Sequence, residues 1–227
     1  MKVDVFGVGH DRRSGLWAAN VICRGKPDVI CFEAWAEFVK LFNLFDSGKI
    51  DALSKSPEWK EILPLMKWYW NFAMSLLEKE PMMRAAKTIH AEPIAIDVSI
   101  EERMYEQGQI HQLMKKGSSL RRRLWFAHKI FQSVSGFVGR PFIRNPSLMN
   151  SDVGDVYFRT ARRIWDLILP ESRWWGLGRE EYMVQRISEV VRKHEDCKIF
   201  VFVGAAHRKS LQNLIESSFT DVEKCER

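Results

Sequence analysis

The stretch KIFVFVGAAH, residues 198–207, contains the strongest strand candidate in the chain. Residues 198–203 are almost all β-branched or aromatic, which is the composition of a strand. Gly204 tolerates the sharp backbone of a strand-to-helix turn, and His207 follows three residues later, before a predicted helix over 210–217. This order predicts a strand–turn–helix unit of an α/β protein.

The amino-terminal end of the chain repeats the arrangement. Residues 2–6 have a strand pattern, Gly7 to His10 is a second Gly-x-x-His turn, and residues 14–23 predict a helix for which Ser14 is available as the cap. Either histidine alone is compatible with a helix cap or a filled polar pocket. Two such turns, each after a strand, favour one shared site, because a short motif seldom recurs at matching places by accident.

Two carboxylates follow further strand candidates. Residues 28–32 (DVICF) suit a strand buried on both faces, and Glu33 comes directly after it. The β-α-β crossover that leads to this strand is right-handed and makes the two strands parallel, so His10 and Glu33 should emerge at the same edge of the sheet. Residues 92–96 are a brief strand candidate that reaches Asp97.

Each carboxylate also has a purely structural interpretation. Glu33 suits the start of the helix predicted over 34–45, where the helix dipole favours a negative charge. Asp97 suits the N-cap of a helix that begins near Ile100. Because open α/β sheets bind ligands outside the carboxyl ends of their strands, a role in a site is compatible with both interpretations.

Length and composition predict one domain. The 227 residues are 46% hydrophobic and contain no long polar or Gly/Ser-rich tract. We expect a single α/β domain over 1–227, with a central mostly parallel or mixed sheet flanked by helices. The pattern over about residues 100–175 predicts a helical insertion that is rich in Trp and Arg.

Several weaker patterns complete the prediction for the chain. Residues 59–77 and 179–193 have helical spacing, the Trp-Trp-Gly-Leu-Gly segment at 174–178 predicts a break, and residues 219–222 allow a last strand.

Composition also limits the class of protein. The four cysteines, Cys23, Cys31, Cys197 and Cys225, have no C-x-x-C spacing, so we expect free thiols in a reducing compartment and no zinc ribbon. No apolar run approaches the roughly 20 residues of a membrane span, and no signal peptide pattern precedes the first strand. A cytoplasmic protein is therefore expected. The net charge of +6 permits an acidic partner.

The converging polar residues suggest metal chemistry. Two imidazoles, those of His10 and His207, and one carboxylate, that of Glu33 or Asp97, are an open ligand set for a catalytic divalent ion such as Mn, Co or Zn. Such an ion lowers the pKa of a bound water, which gives a hydrolase. The same histidines also allow a metal-free variant in which one of them is the general base.

At this point the motifs resemble a known family. VFGVGH at 5–10, PDVICFE at 27–33, REEYM at 179–183 and VFVGAAH at 201–207, in this order, are similar to the TraB/PrgY/Tiki group, which is related to erythromycin-esterase-like and ChaN-like proteins. The similarity is concentrated in roughly the first 35 and last 50 residues. It implies an α/β fold whose two Gly-x-x-His motifs and strand-end glutamate line one pocket.

The resemblance carries over residue by residue. It implies that His10, Glu33 and His207 are metal ligands and that Arg179 is the arginine that opens the penultimate helix. Many relatives have an Asp-Arg pair where this chain has Asp97 followed by Val98, so the compensating positive charge would come from elsewhere, with Arg103 and Arg179 as candidates.

Two functions of different classes follow. The first is a metal-dependent hydrolase, protease-like or acting on small esters, in which Arg179 stabilises the oxyanion or binds a substrate carboxylate, and Asp97 or Glu181 is the general base. The second is a non-catalytic module that holds nucleic acid or another polyanion through basic and aromatic residues. These basic and aromatic residues are Arg121, Arg122, Arg123, Trp125, Arg159, Arg162 and Arg163. The sequence leaves the oligomeric state open and is compatible with a homodimer.

Overall fold

The computed structural model describes residues 2–9, 11–47, 70–99, 102, 140–168 and 172–225. Within these ranges four parallel strands form one sheet in the order β1-β4-β2-β3. The strands are β1 (Lys2–Val8), β2 (Val29–Phe32), β3 (Glu92–Ala95) and β4 (Lys198–Gly204). The predicted α/β class is confirmed, and the described sheet is wholly parallel.

The register brings the carboxyl ends of the strands to one edge. Val8 of β1 pairs with Gly204 of β4, and Phe32 of β2 pairs with both Phe202 of β4 and Ala95 of β3. The ladder continues for one residue past β2, because the Glu33 amide donates to the Phe202 carbonyl at 2.9 Å. The residues that follow these strands are therefore neighbours, as the crossover argument predicts.

Helices connect and cover the strands. They are α1 (Arg12–Gly25), α2 (Phe38–Asp46), α3 (Trp70–Ile89), α4 (Arg140–Arg144), α5 (Asp152–Ile168), α6 (Ser172–Lys193) and α7 (Arg208–Cys225), with a short 3-10 helix at Pro146–Asn150. None of the helices in the described ranges combines the length and the apolar character that a bilayer crossing requires.

The alternation of β4 divides the core into two layers. Phe200 and Phe202 pack in a buried cluster with residues of α1, α2 and α3, whereas Val201 packs on the other face with Met183 of α6 and Leu211 of α7. Successive side chains of a strand point to opposite faces, so one continuous apolar run supplies both cores. Each fully buried side chain of this size contributes about 1.5–3 kcal/mol. β4 is therefore the centre of the fold.

Helix α1 begins at Arg12, so its N-cap lies three residues before Ser14, the cap predicted from the sequence. Asp11, not Ser14, is the N-cap of α1, since its carboxylate accepts from the backbone amides of Arg13 at 2.8 Å and Ser14 at 3.0 Å. Ser14 is instead fully buried inside α1. Beside it, a Cβ on Gly15 would overlap with the carbonyl oxygen of Glu78 on α3. The glycine lets the two helices approach closely.

Two predicted breaks of helical structure are wrong. Residues 174–178 lie inside α6, since a helix interior tolerates a glycine at a cost of about 1 kcal/mol. Residues 219–222 lie inside α7.

Other boundaries differ in detail or fall outside the described ranges. The helix predicted over 34–45 is α2, which begins at Phe38, and the described part of the stretch 59–77 belongs to α3. In the proposed insertion, residues 140–168 are largely helical. Of residues 100–139, only Glu102 is among the described residues.

Candidate functional site

Arg179 joins the two strand-end carboxylates. Its Nε donates to Asp97 at 2.7 Å, and its Nη2 donates to both Asp97 and Glu33. The three side chains are 12%, 2% and 7% exposed, so the ion pairs are largely removed from solvent. Of the two positive charges considered for Asp97, Arg179 makes the contact, and Arg103 lies outside the described residues.

The charge of Arg179 is held firmly by this cluster. Burial by itself lowers the pKa of the guanidinium, but the negative charge of Glu33 and the hydrogen bonds and charge of Asp97 outweigh it and raise the pKa above its ordinary value. Nη1 has no hydrogen-bond partner among the residues that the structure describes. Arg179 is therefore a fixed cation with one donor nitrogen left for another group.

Glu33 also connects the sheet to the second Gly-x-x-His turn. One carboxylate oxygen accepts from Arg179, and the other accepts from the backbone amide of Gly204 at 2.6 Å. This amide belongs to the last residue of β4, at the start of the turn that carries His207. Glu33 thereby fixes the ends of β2 and β4 relative to each other.

Asp97 is not the N-cap that one interpretation of the sequence assigned to it. Ser99 and Glu102 exchange the two hydrogen bonds of a capping box, with the Ser99 amide donating to the Glu102 carboxylate at 3.0 Å and the Glu102 amide donating to Ser99 Oγ at 3.2 Å. The cap is therefore two residues further along the chain. The Asp97 carboxylate binds Arg179 and also accepts from the Val98 amide at 3.0 Å.

His207 lies on the same edge and is held by a carboxylate that the sequence did not single out. Its Nδ1 is 2.6 Å from Oε1 of Glu180, which is 2% exposed. Ser210 donates to the other oxygen of Glu180 at 2.7 Å, and Arg162 donates to Oε1. Within the described ranges Nε2 of His207 has no partner. A carboxylate on Nδ1 favours the tautomer that leaves Nε2 as an acceptor.

Glu180 is held in its charged form. Burial raises the pKa of its carboxyl group, but hydrogen bonds from His207, Arg162 and Ser210 together lower it below the ordinary value. A charged carboxylate can orient the imidazole and stabilise it when it gains a proton. This is the role of the acidic member in a histidine-based catalytic dyad.

A single helix supplies both anchoring residues. Arg179 and Glu180 are consecutive on α6, and adjacent side chains of a helix diverge by about 100°, so one reaches the β2–β3 side and the other reaches α7. Glu180 could have been found in the sequence, because it shares a buried stripe with Met183 and Ile187. Glu181, predicted as a general base, is exposed.

The first Gly-x-x-His turn is described as far as Gly9, and His10 lies outside the described residues. The Asn150 side chain binds both backbone groups of Gly7, accepting from its amide at 2.7 Å and donating to its carbonyl at 2.9 Å. A Cβ on Gly7 would lie 3.1 Å from the Cα of Ala205. The backbones of the two turns therefore pack closely against each other.

The predicted ligand set meets the geometry only in part. The described ranges contain no cluster of three or more His, Cys, Asp or Glu residues that could hold a metal ion. His207 has the arrangement of a metal-binding histidine, with a carboxylate on one nitrogen and the other nitrogen without a described partner. Glu33 is bound to Arg179, whose charge opposes a cation there. A metal site at this edge thus depends on His10.

The basic residues of the alternative function are placed only in part. Arg162 is paired with buried Glu180 and is not exposed, whereas Arg159 and Arg163 are exposed on α5. The basic cluster at 121–123 and Trp125 lie outside the described residues.

A pocket of about 530 Å³ lies at the opposite, amino edge of the sheet and is lined by Lys26, Asp28 and His90 among others. Lys26 and His90 have left-handed backbones with φ of 46° and 60°. These angles belong to the ends of α1 and α3, where such a residue closes the last turn. Backbone geometry at this edge is accounted for by helix capping.

Comparison of the chain with family models, with curated proteins and with solved structures returned no match. The similarity to the TraB/PrgY/Tiki group therefore stays a prediction from the motifs.

Proposed function

We propose that the protein is a hydrolase of peptide or small ester bonds, of the TraB/PrgY/Tiki type, and that its site is the carboxyl edge of the sheet around His207. The observation that carries the proposal is the Glu180–His207 pair, which fixes the imidazole through Nδ1 and leaves Nε2 without a described partner. The contacts that surround Glu180 and its lowered pKa support an orienting group that is charged at neutral pH.

His207 acts on a water molecule in this proposal. Nε2 removes a proton from the water as its oxygen attacks the carbonyl carbon, and the charged Glu180 stabilises the imidazolium that forms. The proton then passes to the leaving alkoxide or amine when the ester or amide bond breaks. Glu180 keeps its own negative charge throughout.

Arg179 provides positive charge at the same edge of the sheet. Its contact with Glu33, which in turn accepts from the Gly204 amide, places the guanidinium near the turn that ends in His207. The Nη1 donor can bind a substrate carboxylate or the oxyanion of the tetrahedral intermediate. Asp97 holds Arg179 in position, which is a different role from that of the general base predicted from sequence.

The resemblance also implies a divalent ion held by His10, Glu33 and His207. A bound Mn, Co or Zn ion would supply a water of lowered pKa and polarise the carbonyl. His207 suits this role as well as that of a base, since Glu180 orients it in either case. Metal analysis of the purified protein distinguishes the two forms. If His10→Ala and His207→Ala variants bind manganese, cobalt and zinc as well as the parent, the ligand assignment is wrong.

Hydrolysis of p-nitrophenyl esters and of fluorogenic peptides, each with and without added Mn, Co or Zn, tests the proposal. We expect His207→Asn to lose at least about 100-fold in kcat/KM, the lower end of what a general base contributes. His90→Asn is the matched control, because it makes the same replacement at the opposite edge and asparagine tolerates a left-handed backbone.

Two results would contradict the proposal. Undiminished hydrolysis in His207→Asn would remove His207 from the chemistry, and a loss confined to His90→Asn would move the site to the amino edge. Binding of mixed oligonucleotides that weakens steeply with salt, with no hydrolysis of any substrate, would instead support the polyanion-binding alternative.

A further inference from the structure

Helix α5 presents apolar side chains to solvent. Val153, Val156 and Ile164 are 70%, 56% and 42% exposed, and they are three of the large hydrophobic residues that the described ranges leave exposed. Together with exposed Thr160 they follow the spacing i, i+3, i+7 and i+11, which is one face of a helix. We call these four residues the α5 stripe. It is an apolar surface about 17 Å long.

The other face of α5 is fixed to the body of the protein. Asp155 is buried and accepts from Arg208 of α7 at 2.7 Å, and Arg162 donates to buried Glu180 of α6. These contacts determine which way the helix is rotated, and they leave the α5 stripe facing outward. Turning the stripe inward would break two ion pairs that are mostly shielded from solvent.

Two opposite charges flank the stripe at its two ends. Asp152 opens α5, and Arg163 lies three turns further along on the same side of the stripe. Both side chains are exposed, and neither has an ion-pair partner among the described residues. An acidic residue at one end and a basic residue at the other are complementary to a second copy of the same helix that runs in the opposite direction. Exposed Arg159 lies between them on the same side, and its Nε donates to the Asp155 carbonyl of its own helix at 3.2 Å.

We propose that α5 is the contact surface of a homodimer, in which the stripes of two copies pack as an antiparallel pair about a two-fold axis perpendicular to the helices. Val153 of each copy then lies opposite Ile164 of the second copy, and the axis passes between residues 158 and 159. In this register Asp152 lies within two residues of the position opposite Arg163 of the second copy. A two-fold axis repeats the charge pair, so it forms twice.

The expected association is weak. The footprint of a helix of this length is roughly 25 Å by 10 Å. A typical stable interface buries about 800 Å² on each partner, which is far more than this footprint. A dissociation constant on the order of micromolar or above is therefore expected. Exposed ion pairs add little energy, so the flanking charges mainly select the antiparallel orientation.

Sedimentation equilibrium of the whole protein over about 1 to 500 µM tests the dimer. We expect concentration-dependent dimerisation, an at least tenfold weaker association for Val156→Glu, and no change for Leu16→Glu, which puts the same charge on an exposed residue of α1. A monomer at every concentration, or a dimer that Val156→Glu leaves intact, overturns the proposal. So does a monomer that floats with phosphatidylserine vesicles through Val156, because the surface would then be a membrane contact.

Charge reversal and cross-linking test the orientation. Asp152→Arg and Arg163→Asp should each weaken the dimer, and the double variant should restore it. In a Cys23→Ser background, Thr160→Cys should form a disulfide between copies, since residue 160 lies close to the two-fold axis. Val153→Cys should not, because the antiparallel order separates the two copies of residue 153 by roughly 17 Å along the helix axes. A Val153→Cys disulfide, or no rescue by the double variant, rules out the antiparallel pair.

Discussion

Replacement of Arg179 by methionine should cost far more stability than an ordinary loss of a surface charge. The substitution keeps most of the side-chain volume and leaves the carboxylates of Glu33 and Asp97, 7% and 2% exposed, without their shared cation. Removing one partner of a buried ion pair typically destabilises a protein by about 3–5 kcal/mol, because the remaining charge stays desolvated. With a urea m-value of about 2 kcal/mol/M, the midpoint should fall by roughly 1.5–2.5 M.

The same helix contains a matched control. Arg186 pairs with Glu189, but these side chains are 41% and 43% exposed, so Arg186→Met should cost at most about 1 kcal/mol. Urea unfolding followed by far-UV circular dichroism measures both variants against the parent. If Arg179→Met and Arg186→Met lose equal free energy of unfolding, the ion pairs of Arg179 with Glu33 and Asp97 do not stabilise the fold as buried ion pairs should.

A second substitution keeps this test informative if Arg179→Met is barely folded. Asp97→Asn removes one negative charge and retains the shape of the side chain. In the parent it should be destabilising, because it weakens the hydrogen bonds to Arg179, whereas in the Arg179→Met background it should be neutral or stabilising, because it removes a desolvated charge. Additive losses would refute the charge argument.

Three further predictions concern packing, pH and thiol chemistry. Gly15→Ala should lower the free energy of unfolding by about 1–3 kcal/mol, despite the better helix propensity of alanine, because its Cβ meets the Glu78 carbonyl; stabilisation in urea would disprove this close approach. The pKa of Glu180 is lowered in the folded state, so the stability that its charge contributes is present above the ordinary pKa of 4.5. That contribution is lost as the pH falls through the lower folded-state pKa. The difference in free energy of unfolding between the parent and Glu180→Gln, measured by urea titration, should therefore shrink over this pH range. Burial raises the pKa of Cys31 to about 12, so iodoacetamide at pH 8 should label exposed Cys23 and, as read by mass spectrometry, reach Cys31 only after unfolding.

The two central strands, β2 and β4, could be predicted from sequence because each is a short, nearly continuous apolar run. In a parallel sheet covered on both faces, every residue of β2 is buried, and no polar alternation confuses the pattern. Right-handed crossovers then fix which ends of the strands meet. Glu33 and Asp97 are therefore expected at one edge of the sheet, where the structure joins them through Arg179.

The sequence predicts less well which of two nearby residues of similar chemistry takes a given role. Asp11 and Ser14 are both good N-caps, and only the start of the helix decides between them. Glu180 and Glu181 are adjacent and chemically identical, and the rotation of α6 against the sheet determines which is buried. That rotation depends on the apolar stripe that continues through Met183, whose phase identifies Glu180.

Side-chain contacts between segments far apart in the chain could not be predicted from the sequence pattern. Arg162 belongs to a stretch that looks like a solvated basic helix face, yet it pairs with Glu180 because α5 packs against α6. Composition indicates how many arginines are present, but not which of them face an acidic partner across the fold.

The orientation of the His207 ring is the most direct test of the proposed site. Long-range ¹H–¹⁵N correlation spectra of the neutral imidazole report which nitrogen carries the proton. The Glu180 contact predicts a proton on Nδ1 and a bare Nε2, which is the state that both a general base and a metal ligand require, and Glu180→Gln should diminish this preference. A proton on Nε2 in the parent protein would contradict the proposed role of His207.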